Sequence, residues 1–86
     1  MKSLTSPEFW QAYAALPPKA RIAARKAYRL WRENPRHGSL QFQKRGRFWR
    51  VCVGAGYRAL AVTVPDGYLW IWIGTHDEYE RMLRKP

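Results

Sequence analysis

The segment 68–73, with the sequence YLWIWI, is apolar at every position and constrains the fold more than any other part of the chain. A strand with one face in water alternates apolar and polar side chains, whereas a strand covered on both faces does not. The segment therefore predicts a strand that is central in a sheet or covered on both sides. Gly74, His76 and Tyr79 follow closely, so this strand would deliver a titratable and an aromatic side chain to the end of the sheet.

Two helices are predicted ahead of the sheet. Ser6-Pro7-Glu8 combines a capping hydroxyl, a proline at the first helical position and an acid in the first turn, all typical of a helix start. This helix ends at Leu16, before two prolines. A second helix follows over about 18–33, where apolar residues recur at three-to-four spacing. The short connection predicts an antiparallel helical hairpin.

After Gly38 the apolar residues alternate with a period of two, which indicates strands. Four strands are predicted, over 39–44, 48–53, 57–64 and 68–73. Pro65-Asp66-Gly67 is a strong hairpin signal between the last two, and a short helix is predicted over 77–83. The expected fold is α+β, a single domain over residues 1–86. In it the N-terminal helical hairpin packs on one face of a four-stranded, mainly antiparallel sheet, and a short C-terminal helix follows.

The chain is strongly basic, since 16 Lys and Arg against 6 Asp and Glu give a net charge of +10. Such a bias favours a nucleic acid or an acidic protein as partner, and ordinary solubilising charge is the alternative. One cysteine and two histidines are too few for a structural zinc site, so no metal or other cofactor is expected. The lone Cys52 fits a reducing cytoplasm, and no apolar run approaches the roughly 20 residues of a membrane span.

The order of the elements and several short motifs resemble the RelE/ParE toxin superfamily. The motifs are Asn34-Pro35, SLQFQK at 39–44, WRV at 49–51, GYR at 56–58 and IGTH at 73–76. Each motif is weak alone, but their order and spacing extend over nearly the whole chain. The resemblance implies the toxin of a bacterial toxin–antitoxin pair. RelE-like members are ribosome-dependent mRNA endonucleases that use no metal, whereas ParE-like members share the fold and poison DNA gyrase.

The resemblance also implies roles for individual residues. Arg58 matches the arginine that contacts the scissile phosphate in RelE-like enzymes, and Arg50 matches a basic residue of the preceding strand. His76 stands where RelE has an arginine near the end of the last strand, as in a histidine-using branch of the family. Tyr79 matches the C-terminal aromatic residue that stacks on a base.

Two departures from the family pattern are evident. Cys52 occupies an inward-facing position that is often basic in RelE, so part of the lysine-rich site is missing. The family's first strand, which precedes the helices, is expected to be absent because residues 1–6 are too few. Both departures bear on the chemistry more than on the fold.

The residues themselves suit RNA cleavage without a metal, in which the 2′-hydroxyl attacks the adjacent phosphorus. This reaction needs a base, an acid for the leaving oxygen and positive charge on the phosphate. An imidazole such as that of His76 can take and give a proton near neutral pH. Arg50, Arg58 and Lys44 could hold the phosphate. Further contacts to RNA are predicted for Arg45, Arg47 and Trp49.

Each assignment has a purely structural alternative. His76 could cap the last helix, and Tyr79 could pack on the sheet end. Arg58 could pair with the acids that follow the last strand. A stripe of arginines on the second helix fits a solvated face, contact with ribosomal RNA phosphates, or docking of a disordered acidic antitoxin tail that folds on binding. These arginines are Arg21, Arg25, Arg29 and Arg32.

The leading interpretation is a RelE-like mRNA endonuclease that acts at the ribosome, with a cognate antitoxin, the ribosome and mRNA as its partners. A ParE-like gyrase inhibitor that does not cut RNA is the first alternative, and a non-toxic basic nucleic-acid-binding module is the second. His76 beside a basic sheet favours the endonuclease. Because Cys52 stands where RelE often has a basic residue, the gyrase-inhibitor interpretation also remains open.

Overall fold

A computed structural model describes residues 1–84, which form an α+β fold with a five-stranded mixed sheet. In chain order the elements are β1 (Lys2–Thr5), α1 (Pro7–Ala14), α2 (Pro18–Glu33), a 3₁₀ turn (Gly38–Leu40), β2 (Gln43–Arg45), β3 (Phe48–Val53), β4 (Tyr57–Val64), β5 (Gly67–Thr75) and α3 (His76–Arg84). The strand order across the sheet is β1-β5-β4-β3-β2. The last four strands form an antiparallel meander, and β5 lies between two neighbours, as its apolar sequence predicted.

The expectation that the first strand is absent was wrong, and with it the expectation of a four-stranded sheet. β1 pairs with β5 in parallel register, from Lys2 opposite Gly67 to Thr5 opposite Trp70. Four residues suffice because β5 offers a long unpaired edge, and backbone hydrogen bonds at both ends extend the pairing. Lys2 N donates to Asp66 O at 2.7 Å, and Ser6 N donates to Trp70 O at 3.0 Å.

The segment predicted as a strand over 39–44 is a strand only at its end. Gly38–Leu40 forms a 3₁₀ turn because the His37 side chain accepts a hydrogen bond from Ser39 N at 3.2 Å and so caps it. Gln41 then takes a left-handed backbone conformation with φ of 44°, which interrupts the extended chain before β2 begins. The alternation over 39–44 therefore does not mark a continuous strand. Leu40 is buried, but it belongs to the 3₁₀ turn.

The helices begin and end close to the predicted positions, yet they do not make a simple hairpin on the sheet. Ser6 caps α1 by accepting from Phe9 N at 3.2 Å, as its sequence signal predicted. α1 packs mainly against β5, whereas α2 packs against β3. An apolar groove therefore opens between the two helices, with the sheet as its floor.

The two faces of the sheet differ in chemistry. The face under α1 and α2 carries most of the core, where Trp31 of α2 meets Trp70 edge-on with a centroid distance of 5.1 Å. On the opposite face Arg50 lies beside Leu60, which is fully buried. α3 packs against β4 and β5 and buries Tyr79. Within the described residues, no helix has the length and apolar character needed to cross a membrane.

Candidate functional site

Two arginines occupy neighbouring positions on the sheet face opposite α1 and α2. Arg50 of β3 pairs with Leu60 of β4, and Cys52 of β3 pairs with Arg58 of β4. Arg50 and Arg58 are therefore diagonal neighbours on one face, where backbone positions lie about 7–8 Å apart. This spacing allows two guanidinium groups to reach one anion.

Both guanidinium groups are short of partners. Arg50 is only 8% exposed, and its Nη2 donates to Gln43 Oε1 at 3.0 Å. Arg58 Nη1 donates to the carbonyl of Tyr57 at 2.7 Å. The Nε atoms of both arginines are buried without a hydrogen-bond acceptor, and neither arginine forms an ion pair within residues 1–84. A buried cation without an anion is costly, so the arrangement is poised to bind one.

Gln43 links a third arginine to this pair. Its Oε1 accepts from Arg45 Nη2 at 2.8 Å as well as from Arg50. The short edge strand β2 thereby holds Arg45 next to Arg50, on the same face. We refer to Arg45, Arg50 and Arg58 as the arginine cluster. An exposed Arg45 beside a buried Arg50 and a half-buried Arg58 suits an extended anion such as a phosphodiester backbone.

His76 lies beside the arginine cluster, at the first position of α3. Its backbone N–H donates to Gly56 O at 2.8 Å, which ties the helix start to the beginning of β4. The side chain lines a shallow cleft together with Gly56, Arg58, Thr75 and Asp77. It is 44% exposed, and His76 and Arg58 line the same solvent-accessible cleft.

A capping box fixes the position of His76. Thr75 Oγ1 accepts from Glu78 N at 3.1 Å, and Glu78 Oε1 accepts from Thr75 N at 3.0 Å and from Thr75 Oγ1 at 2.9 Å. Hydrogen bonds from the backbone and side chain of Thr75 lower the pKa of Glu78 below its usual value. Thr75 rather than His76 therefore caps the helix. The spacing T-x-x-E is a known sequence signal for this motif, and it places the helix start one residue earlier than predicted.

Two of the predicted site residues lie on the other face of the sheet. Lys44 pairs with Trp49, Trp49 pairs with Ala61, and Ala61 pairs with Trp70. Lys44 and Trp49 therefore lie on the sheet face that α1 and α2 cover, with Lys44 exposed at its edge. Trp49 stacks on Phe42 with a centroid distance of 4.9 Å, so it packs in an aromatic cluster. The structure does not bring Lys44 or Trp49 together with the arginine cluster.

The remaining predicted residues divide between burial and exposure. Tyr79 is 2% exposed, so its ring packs at the sheet end and is not presented to a base, which corrects the expectation of stacking. Arg47 lies exposed in the β2–β3 turn, with its guanidinium 4.9 Å from the Phe48 ring centroid. Arg58 does not pair with Asp77 or Glu78 within the described residues.

The groove between α1 and α2 was not predicted from the sequence. Its floor comprises Val51, Val53, Ala59, Trp70 and Ile73, and its walls include the α1 residues Phe9, Trp10 and Tyr13. Arg25, Arg29 and Arg32 of the predicted arginine stripe lie along the groove, whereas Arg21 donates to the carbonyl of Leu16 at 2.7 Å. Trp31 Nε1 is buried there without an acceptor among residues 1–84. The alanines of α2 gave the only hint, since small side chains leave space above a sheet.

Within residues 1–84, no three His, Cys, Asp or Glu side chains come together as a possible metal site. The side chains that this face does present are the arginine cluster and the imidazole of His76. These polar groups can bind an anion, neutralise charge that develops on it and exchange a proton with it.

Comparison with solved structures shows which known fold this chain is similar to. A chain of the RelB–RelE antitoxin–toxin complex from Methanococcus jannaschii matches with a TM-score of 0.71 and 14% identity, over 92% of this chain and 96% of that chain. The protein therefore has a RelE-like fold. No family model matches the sequence, and no curated protein matches it.

Proposed function

We propose that this protein is the toxin of a toxin–antitoxin pair and that it cleaves mRNA at the ribosome. The observation that carries the proposal is the arginine cluster beside His76. Arg50 and Arg58 have buried Nε atoms without acceptors and no carboxylate partner within the described residues. Natural cores rarely tolerate such cations unless they serve an anionic ligand, and a scissile phosphate is a ligand of that class.

The roles follow from position. Arg58 shares the cleft with His76 and would contact the scissile phosphate, and Arg50 would stabilise charge that develops on the same oxygens. His76 would take the proton of the attacking 2′-hydroxyl. The reaction forms a bond from the 2′-oxygen to phosphorus and breaks the bond to the 5′-oxygen. The exposed Arg45 and Arg47 would contact flanking phosphates and ribosomal RNA.

We propose that the groove between α1 and α2 receives the antitoxin. Its apolar floor and the neighbouring Arg25, Arg29 and Arg32 suit a segment with apolar residues on one face and carboxylates at its margin. Trp10 and Tyr28 are about half exposed there, which is unusual for large aromatic side chains without a partner. The RelB–RelE complex with the similar fold contains an antitoxin, which supports a partner of this kind.

Inhibition of DNA gyrase without RNA cleavage is the second candidate function. Two observations favour it over a complete nuclease site. The Tyr79 ring lies 6.3 Å from the His76 ring but is buried, and Lys44 lies on the other face, so neither of these two expected parts of an RNA-cleaving site is exposed beside His76. A binding surface for a protein target needs neither residue.

Controlled expression in bacteria tests the proposal against both alternatives. The wild-type chain should arrest growth while cellular mRNA is cut and plasmid supercoiling by gyrase continues. Loss of supercoiling with intact mRNA would favour the gyrase inhibitor. Normal growth with soluble protein would leave only a basic binding module. The Arg58→Ala variant provides a matched comparison, because it removes one member of the arginine cluster and leaves the groove unchanged.

A further inference from the structure

Glu80 lies one helical turn after His76 on α3, and its carboxylate approaches one particular ring nitrogen. Glu80 Oε1 is 3.2 Å from His76 Nε2, whereas Asp77 Oδ1 is 3.8 Å from Nδ1, beyond hydrogen-bonding distance. A carboxylate oxygen at 3.2 Å repels a nitrogen lone pair and attracts a proton on that nitrogen. The contact therefore favours the proton on Nε2 and leaves the Nδ1 lone pair available.

The two carboxylates beside the ring differ in their relation to the cleft. Asp77, which is nearer Nδ1, lines the cleft together with Arg58, whereas Glu80, which approaches Nε2, is not among its lining residues. Nδ1 is therefore the ring nitrogen next to a residue of the cleft, and Nε2 is the nitrogen that Glu80 approaches.

We propose that Glu80 is a positioning residue for His76 and that Nδ1 is the nitrogen that exchanges the proton during cleavage. The inference rests on the proposed role of His76. Nδ1 takes the proton of the 2′-hydroxyl while the 2′-oxygen bonds to phosphorus, and the imidazolium that forms is stabilised by Glu80. The same proton is then available to the 5′-oxygen as its bond to phosphorus breaks, which gives a cyclic phosphate and a 5′-hydroxyl.

Within residues 1–84, the contact with His76 is the one polar side-chain contact of Glu80. Its side chain is 40% exposed, and the capping box that holds α3 uses Glu78 instead. An exposed pair four residues apart on a helix stabilises the helix only slightly. Replacing Glu80 should therefore leave the fold intact while it changes the state of the imidazole.

Nitrogen-15 NMR of the histidine rings tests the contact directly in the full chain, without RNA. The wild type should show His76 with its proton on Nε2 in the neutral form. Glu80→Gln should mix the two tautomers, because an amide can accept or donate. Glu8→Gln removes the same charge from the exposed start of α1 and should leave the His76 spectrum unchanged. A wild-type proton on Nδ1, or no change in Glu80→Gln, would overturn the proposal.

Single-turnover cleavage of ribosome-bound mRNA gives the second measurement. Glu80→Gln should lower the rate constant about tenfold without weakening binding, which is less than the about 10²–10⁴-fold typical of losing proton transfer itself. Glu80→Asp, which keeps the charge, should recover part of the rate. An unchanged rate in Glu80→Gln would contradict the positioning role. If the wild type cuts no RNA, the proposed function fails instead, and the tautomer measurement still decides whether Glu80 holds the ring.

Discussion

Replacing Arg50 with methionine tests whether the positive charge of Arg50 serves activity or stability. Arg50 is 8% exposed, and its hydrogen bond to Gln43 has a charged donor, so it contributes about 1.5–3 kcal/mol. Methionine has a similar length and no charge to desolvate. Replacing even a buried ion pair with apolar side chains is often neutral or stabilising by about 1–4 kcal/mol, and the charge of Arg50 has no such partner within residues 1–84. The free energy of unfolding of Arg50→Met should therefore be unchanged or higher by up to about 2 kcal/mol.

The activity of the same variant should move in the opposite direction. A preorganised donor at a developing oxyanion contributes about 2–4 kcal/mol, which corresponds to a rate loss of about 30- to 900-fold. Urea denaturation and single-turnover mRNA cleavage on ribosomes measure the two quantities. Lys26→Met is the control, because Lys26 is an exposed basic residue of α2 with no role in the proposed site. A variant of Arg50 that loses stability by more than about 2 kcal/mol and still cuts at the wild-type rate would refute the reasoning.

Three further outcomes are expected. Gly74→Ala should lower the free energy of unfolding by about 1–3 kcal/mol, because the new methyl group would collide with the Trp72 ring, whereas Gly38→Ala, in open space, should not. The pKa of Glu78 is lowered in the folded chain, so its contribution to stability is present above the usual value of 4.5 and is lost as the pH falls below it through the folded pKa. NMR titration should give a Glu78 midpoint below 4.5, and a midpoint at or above it would contradict the capping box. RNA affinity should fall with salt at a log–log slope of about −2 for three phosphate contacts by the arginine cluster, and affinity independent of salt would exclude a phosphate-led interface.

Local sequence signals predicted much of the fold. The Ser6-Pro7-Glu8 start, the three-to-four periodicity of α2 and the Pro65-Asp66-Gly67 turn all act within a few residues of the chain. Each predicts its element because its physical cause is local. β1 was missed for the opposite reason, since four residues form a strand only because the distant β5 offers them an edge.

In the candidate site, too, some residue positions could be predicted from the sequence and others could not. Arg50 and Arg58 could be predicted to share a face because both lie in regular antiparallel strands with a short turn between them. The face of Lys44 could also have been predicted, because Lys44 follows Phe42, which packs against the core, by two positions and so shares its face, away from Arg50. The burial of Tyr79 depends on how α3 folds back over the sheet, a tertiary contact without a local sequence signal.

Cleavage of a defined mRNA on purified ribosomes tests the central claim most directly. Primer extension should detect cuts with the wild-type chain and with Lys26→Ala, an exposed basic residue of α2 far along the chain from the cleft. His76→Ala should reduce the rate by about 10²–10⁴-fold, and Arg58→Ala by about 30- to 900-fold, while both variants remain folded. If His76→Ala and Arg58→Ala both cut at the wild-type rate, the cleft between β4 and α3 is not the site of the reaction.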